Sequence, residues 1–95
     1  MLKLNPQNPA EKDAKMIMRQ IGTKMQKLRY SKKLTRKEAA ERAGIGVNTL
    51  ARFENGVSDG IHIEAFLRVA NAVGYDWTEL FKFTEQERKL WTQKS

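Results

Sequence analysis

The sequence contains no cysteine. A disulfide framework, a thiolate zinc site and a thiol nucleophile are therefore excluded. Its single histidine, His62, lies at a predicted helix start, so a histidine-based metal site has no second ligand of that kind. The carboxylates fall mostly at helix caps and on exposed helix faces, with no acidic cluster that would suit a hydrolase or nuclease. We therefore expect no enzyme activity, no metal and no cofactor.

Long apolar runs are also missing. No stretch approaches the roughly 18 consecutive apolar residues that a membrane span needs. Residues 1–13, MLKLNPQNPAEKD, lack the apolar core of a signal peptide. These absences predict a cytoplasmic protein without a membrane partner.

Positive charge, by contrast, is abundant. The 95 residues have a hydrophobic fraction of 40%, a net charge of +7 and a pI of about 9.9, which indicates one small basic domain. Residues 1–52 carry thirteen Lys and Arg against four Asp and Glu, a net charge of +9, whereas residues 53–95 have a net charge of −2. This asymmetry favours a polyanionic partner and, in a cytoplasmic protein, association with the nucleoid.

Residues 34–56, LTRKEAAERAGIGVNTLARFENG, predict two short helices joined by a tight turn. Thr35 and Glu38 have the spacing of a capping box, in which each side chain accepts a hydrogen bond from the other residue's backbone. Gly44 ends the first helix where the backbone needs a positive φ. Gly46 caps the second helix.

The second helix is predicted from Val47 to about Glu54. Leu50 and Phe53 lie three residues apart and face inward with Ile45, the buried hinge of the turn. Two helices joined in this way form a helix-turn-helix unit, whose second helix reads the major groove of DNA. The residues left on its outer side are Asn48, Thr49, Ala51, Arg52 and Asn55.

Four further helical segments surround this unit. Asn8 as N-cap and Pro9 at the first helical position begin a helix that runs to about Ser31. Thr84 and Glu87 form a second capping box, which starts a short tail helix ending near Trp91. A third helix runs from about Ile61 to Val73, and Asp76 caps a fourth. The apolar positions are Ile17, Ile21, Met25 and Leu28 in the first helix, and Ile63, Phe66, Leu67, Ala70 and Val73 in the third. In the helix after Asp76, the residues assigned to the core are Trp77, Leu80 and Phe81.

Together these segments resemble the Cro/C1 (Xre) family of helix-turn-helix regulators, the lambda-type repressors. Residues 21–29 resemble the first helix of that family, residues 63–74 the fourth and residues 77–81 the fifth. The resemblance implies an all-α fold: a five-helix lambda-repressor-like DNA-binding domain with an N-terminal helical extension and a short C-terminal helix. The implied domains are an arm and helix extension over 1–20, the DNA-binding domain over 21–82 with its helix-turn-helix at 35–54, and a tail helix over 83–95.

The resemblance also implies a structural ion pair between Arg29 and Glu54, near the end of the recognition helix. Truncating one partner of such a pair costs on the order of 3 kcal/mol, because the other charge is stranded. Arg36 stands where relatives usually carry a glutamine that touches a DNA phosphate. An arginine can make that contact through a bidentate fork. Lys37 is a second candidate for phosphate.

Base recognition is assigned to the recognition helix. Asn48 has the amide that reads adenine, and Arg52, one turn later, has the fork that reads guanine. Val47 and Ala51 suit a thymine methyl group, and Thr49 and Asn55 suit phosphate. The predicted DNA-binding residues are therefore Arg36, Lys37, Val47, Asn48, Thr49, Ala51, Arg52 and Asn55.

The predicted function is a sequence-specific transcriptional regulator, a repressor that binds a palindromic DNA operator as a homodimer. The alternative is an antitoxin that represses its own operon and binds a toxin protein. The N-terminal extension and the Trp91 tail are compatible with either. The extension suits a dimer contact, a phosphate-facing strip or a plain solvated helix, while the tail suits packing on the core or on a second subunit. Residues 1–8 suit a loose arm that wraps DNA or stays disordered.

Overall fold

The computed structural model describes residues 8–92, and every regular element within this range is a helix. The predicted all-α fold is confirmed. The predicted arm falls almost entirely on residues 1–7, which lie outside the described range. The elements are α1 (Ala10–Ser31), α2 (Arg36–Ala43), α3 (Val47–Glu54), α4 (Ile63–Val73), a 3₁₀ helix (Trp77–Phe81) and α5 (Glu85–Lys89).

Helix α1 begins one residue later than predicted. Pro9 occupies the N-cap position instead of the first helical position, and Asn8 Oδ1 accepts a hydrogen bond from the Ala10 N–H at 2.8 Å. The helix then continues to Ser31 without interruption. It therefore starts three turns before Ile21, where the resembled first helix begins, and runs across the predicted boundary at residue 20. That boundary stays a prediction.

The hydrophobic core lies between α1, the two short helices and α4. Ile21, Leu50 and Leu80 have no exposed surface, and Phe66 is 1% exposed. The predicted inward positions Leu50 and Phe53 are confirmed. Four residues predicted to face the core are only partly buried: Ile17, Leu28, Ile45 and Leu67. Met18 and Val69 are buried, although the prediction did not include them.

The start of α4 corrects the prediction. The helix begins at Ile63 and not at Ile61, with His62 at the N-cap. Ile63 was assigned to the apolar face, yet its side chain is 48% exposed. As the first residue of the helix, it lies at the edge of the core, which α4 contacts through Phe66 and Val69 one and two turns further on.

The segment after α4 is a 3₁₀ helix rather than a further α-helix. The Asp76 side chain caps it by accepting a hydrogen bond from the Thr78 N–H at 2.9 Å. Leu80 is fully buried, but Trp77, which was assigned to the core, is 40% exposed and packs edge-on against Phe81. The assignment of Trp77 to the core was therefore wrong.

The C-terminal tail folds back onto α1. Glu87 forms an ion pair with Lys24, and its backbone carbonyl accepts a hydrogen bond from Gln20 Nε2 at 3.1 Å. The Trp91 indole N–H donates to Gln20 Oε1 at 3.0 Å, and its ring packs edge-on against Phe83. Of the two roles left open for Trp91, the tail takes the contact within its own chain. Helices α1 to α5 include none with the length and hydropathy of a membrane span.

Tyr75 offers a test of the packing behind α4. Its hydroxyl is buried without a hydrogen-bond partner among residues 8–92, and this burial raises the pKa of Tyr75 well above its usual value. A buried hydroxyl that makes no hydrogen bond is destabilising. We expect Tyr75→Phe to raise the free energy of unfolding by about 1 kcal/mol in urea denaturation.

The matched control is Tyr30→Phe. The Tyr30 side chain is 59% exposed, and its hydroxyl accepts a hydrogen bond from Gln26 Nε2 at 3.0 Å. We expect this change to alter the free energy of unfolding by less than about 0.5 kcal/mol. A loss of stability in Tyr75→Phe larger than that of the control would show that the buried hydroxyl is satisfied in solution.

Candidate nucleic-acid interface

Local capping contacts define both ends of α2 and the start of α3. Thr35 Oγ1 accepts a hydrogen bond from the Glu38 N–H at 3.0 Å, and Glu38 Oε1 accepts one from the Thr35 N–H at 2.8 Å. Gly44 closes α2 with a φ of +72°, and Gly46 begins α3 from an extended conformation. The predicted capping box and both glycine roles are confirmed. Helix α2 and the turn that follows it are therefore defined by local contacts within residues 35–46.

Helix α3 presents a polar outer face. Its inner side buries Leu50, Phe53 and Glu54, which leaves the opposite side open. The Arg52 side chain is exposed and donates through Nη2 to the Val57 carbonyl at 3.4 Å, the upper limit for a hydrogen bond. The remaining members of this face are Val47, Asn48, Thr49 and Asn55, all exposed, and Ala51, which is half-buried.

The buried carboxylate of Glu54 joins three helices. Arg29 of α1 donates to it through Nε at 2.8 Å and through Nη2 at 2.9 Å, and its Nη1 donates to the Leu34 carbonyl at 2.9 Å. The side chains of Arg29 and Glu54 are 5% and 1% exposed. The hydrogen bonds from Arg29 to Glu54 raise the pKa of Arg29 above its usual value. The two residues implied as an ion pair are thus in bidentate contact.

Arg36 is the third member of this network. Its Nε donates to Glu54 Oε1 at 3.1 Å, from the first residue of α2. Its side chain is 33% exposed, and within the described chain neither Nη group has a hydrogen-bond partner. Glu54 thus holds one edge of the guanidinium and leaves the other edge at the surface. No local sequence pattern indicates this contact, because Arg36 and Glu54 lie on different helices.

An open, basic cleft lies where α1 meets α2. It encloses about 500 Å³, and its lining includes the side chains of Lys33 and Arg36 beside the buried Arg29. Lys33 adopts a φ of +59°, which places it in the turn that connects the two helices. The positive end of the α2 dipole faces the same region, so the cleft favours an anion. Lys37 is exposed one residue further along α2.

A family model described as helix-turn-helix (HTH_3) matches residues 25–80, more than half of the chain. The chain belongs to the Cro/C1-type helix-turn-helix family. Members of this family are DNA-binding transcription regulators, and the family is not a catalytic one. No curated protein matches the chain.

The family match identifies α2 and α3 as the helix-turn-helix unit of a DNA-binding domain. The matched residues include all of α2, α3 and α4 and the basic cleft, but they leave out the first fifteen residues of α1 and all of α5. These parts distinguish this helix-turn-helix protein from the minimal domain. Over residues 8–92, no cluster of three or more His, Asp or Glu side chains has the spacing of a metal site.

Proposed function

We propose that this helix-turn-helix protein is a sequence-specific repressor that binds a palindromic DNA operator as a homodimer. The observation that carries the proposal is the outer face of α3, where polar side chains stand exposed on a helix whose inner side is locked into the core. A helix fixed in this way presents its side chains with a constant geometry, which direct readout of bases requires.

Asn48 and Arg52 are the proposed base-reading residues. They lie four residues apart on α3, so both project from the same side one turn apart. The Asn48 amide matches the N6 and N7 edge of adenine, and the Arg52 guanidinium matches O6 and N7 of guanine. The Arg52 contact to the Val57 carbonyl is long enough to be exchanged for a base. Val47 and Ala51 add apolar surface for a thymine methyl group.

Phosphate contacts are proposed for the start of α2 and the flanks of α3. Arg36 offers the unpaired edge of its guanidinium there, and Lys37 adds an exposed ammonium group. Thr49 and Asn55 have side chains that donate hydrogen bonds to phosphate oxygens without reading sequence. Neutralised phosphates release counterions, so the affinity is expected to fall steeply with salt.

The proposed homodimer is supported by the two-fold symmetry of a palindromic operator and by exposed apolar side chains. Two copies related by a two-fold axis read half-sites about one helical turn apart, and occupation of a promoter by such a dimer represses transcription. Val57, Ile61 and Ile63 are 55%, 49% and 48% exposed on or next to the loop after α3. Exposed apolar side chains grouped in this way favour a protein contact. Molecular mass by light scattering, with and without a two-half-site duplex, tests the dimer.

The base-reading proposal predicts a specific loss. We expect Asn48→Ala/Arg52→Ala to reduce the preference for DNA upstream of the protein's own gene over a scrambled duplex by at least about 30-fold. Binding to the scrambled duplex should change much less, because most phosphate contacts remain. Fluorescence anisotropy titrations at two salt concentrations measure both quantities.

The matched control is Arg68→Ala/Asn71→Ala, which removes the same two residue types from exposed positions on α4. It should leave the preference unchanged. An equal loss in both double variants would refute the assignment of base reading to α3. Equal, weak binding of both duplexes by the unmodified protein would refute the repressor proposal itself, and copurification of a second small protein would then favour the antitoxin alternative.

A further inference from the structure

Helix α1 carries three exposed cations on one side. Lys12, Lys15 and Arg19 lie at positions i, i+3 and i+7, which places them within an arc of about 60° at 100° per residue. We call them the α1 basic stripe. Lys15 forms only an exposed contact with Glu11 at 3.7 Å, and neither Lys12 nor Arg19 is in an ion pair within residues 8–92.

One member of the stripe, Arg19, packs against the end of α3. Gly56 follows the C-cap residue Asn55 and has a φ of +70°. A Cβ atom built on Gly56 would lie 2.7 Å from both Cα and Cγ of Arg19, so the two backbones are in direct contact. Arg19 therefore lies beside the C-terminal end of α3.

The same side of α1 reaches the other end of the helix-turn-helix. Continuing the stripe by whole turns leads to Gln26 and Tyr30, which are joined by a hydrogen bond of 3.0 Å. Tyr30 lines the basic cleft together with Arg36. This side of α1 thus borders the proposed DNA-binding surface at two places, the start of α2 and the C-terminal end of α3.

The loop after α3 has little positive charge of its own. Residues 57–62, VSDGIH, contain no lysine or arginine, and their only formal charge at neutral pH is that of Asp59. Beside this loop the helix-turn-helix offers one cation, Arg52, whose Nη2 already donates to the Val57 carbonyl. The α1 basic stripe supplies three more.

From this juxtaposition we propose that Lys12, Lys15 and Arg19 bind the phosphate backbone of the operator next to the C-terminal end of α3. The proposal rests on the proposed function and extends its interface beyond the helix-turn-helix. From Lys12 to Arg19, α1 rises by about 10 Å, which equals the rise of about three base pairs. The stripe therefore has the length to contact several neighbouring phosphates.

The test is the salt dependence of binding to DNA upstream of the protein's own gene. The slope of log K against log salt is negative, and each lost phosphate contact reduces its magnitude by about 1. We expect a reduction of about 1 in Arg19→Gln and of about 2 to 3 in Lys12→Gln/Lys15→Gln/Arg19→Gln. Arg19→Lys should keep the slope of the unmodified protein, because the positive charge is retained.

The control is Arg88→Gln, an identical change at an exposed site on α5. Helix α5 packs on the other side of α1, against Gln20 and Lys24. This variant should keep the slope of the unmodified protein. Helical circular dichroism and the melting temperature show whether each variant is folded.

A second readout uses duplexes with neutral phosphates. Replacing the phosphates beside the C-terminal end of α3 by methylphosphonates should weaken binding of the unmodified protein and leave the triple variant nearly unaffected. An unchanged slope in the triple variant, or an equal drop in Arg88→Gln, overturns this proposal while sequence preference still supports the repressor. Loss of sequence preference in the unmodified protein overturns the proposed function instead.

Discussion

Gly22→Ala should destabilise the domain by about 3 kcal/mol or more, one of the two largest losses expected from a single substitution in this chain. A Cβ atom at position 22 would lie 2.3 Å from the Phe53 carbonyl oxygen and 2.6 Å from that of Glu54. Both neighbours are backbone atoms at the end of α3, so no side chain can rotate away. Helices α1 and α3 would have to separate, and the contacts that they share would loosen. Urea denaturation measures the loss.

Gly60→Ala is the matched control for this prediction. A Cβ atom at Gly60 would meet nothing within 4 Å, so the substitution adds a methyl group in open space. We expect a change of less than about 0.5 kcal/mol. Similar losses in both variants would mean that helix or loop propensity, and not the close approach of α1 to α3, determines the effect. Because Gly22→Ala displaces α3, the affinity of that variant for DNA should also fall.

Local signals explain why much of the fold was predictable. The two capping boxes, Thr35 with Glu38 and Thr84 with Glu87, both form as predicted. Gly44 closes its helix in the left-handed region, as predicted. Each of these features depends on residues no more than four positions apart. The bounds of α2 and α3 were therefore accessible from sequence, because backbone groups at helix ends need partners nearby.

Contacts between distant residues were less accessible. Ile63 and Trp77 have apolar side chains at helical spacing, but their exposure depends on where α4 and the 3₁₀ helix meet the core. The role of Gly22 is similar. A glycine at this position is compatible with a break in the helix or with close packing. The structure shows that α1 continues through Gly22 and packs closely against the end of α3 there. Hydrophobic periodicity identifies a face but not its edges.

The candidate site divides in the same way. The family resemblance implied Arg29 and Glu54 as partners, and the exposed face of α3 followed from the burial of Leu50 and Phe53. The approach of Arg36 to Glu54 was missed, since eighteen positions separate them and nothing in the local pattern relates them. The contact of Arg19 with Gly56 was missed for the same reason. Which DNA contacts these side chains make stays a prediction.

Glu54→Gln should lower the free energy of unfolding by about 3 kcal/mol. The carboxylate accepts hydrogen bonds from Arg29 and Arg36, and its side chain is 1% exposed. An amide of the same size keeps the packing but removes the negative charge, so the buried Arg29 guanidinium loses its counter-ion. Breaking a buried ion pair on one side is costly because the remaining charge stays out of water. Urea denaturation at neutral pH measures the difference.

Two controls separate burial from pairing as such. Glu87→Gln breaks the ion pair with Lys24. The Lys24 and Glu87 side chains are 16% and 25% exposed, and a glutamine still serves in the capping box. We expect a loss of at most about 1 kcal/mol there. Arg36→Gln should also cost at most about 1 kcal/mol, because Glu54 keeps both hydrogen bonds from Arg29. If Glu54→Gln cost no more than these two variants, Glu54 would not act as the buried anchor between α1 and α3.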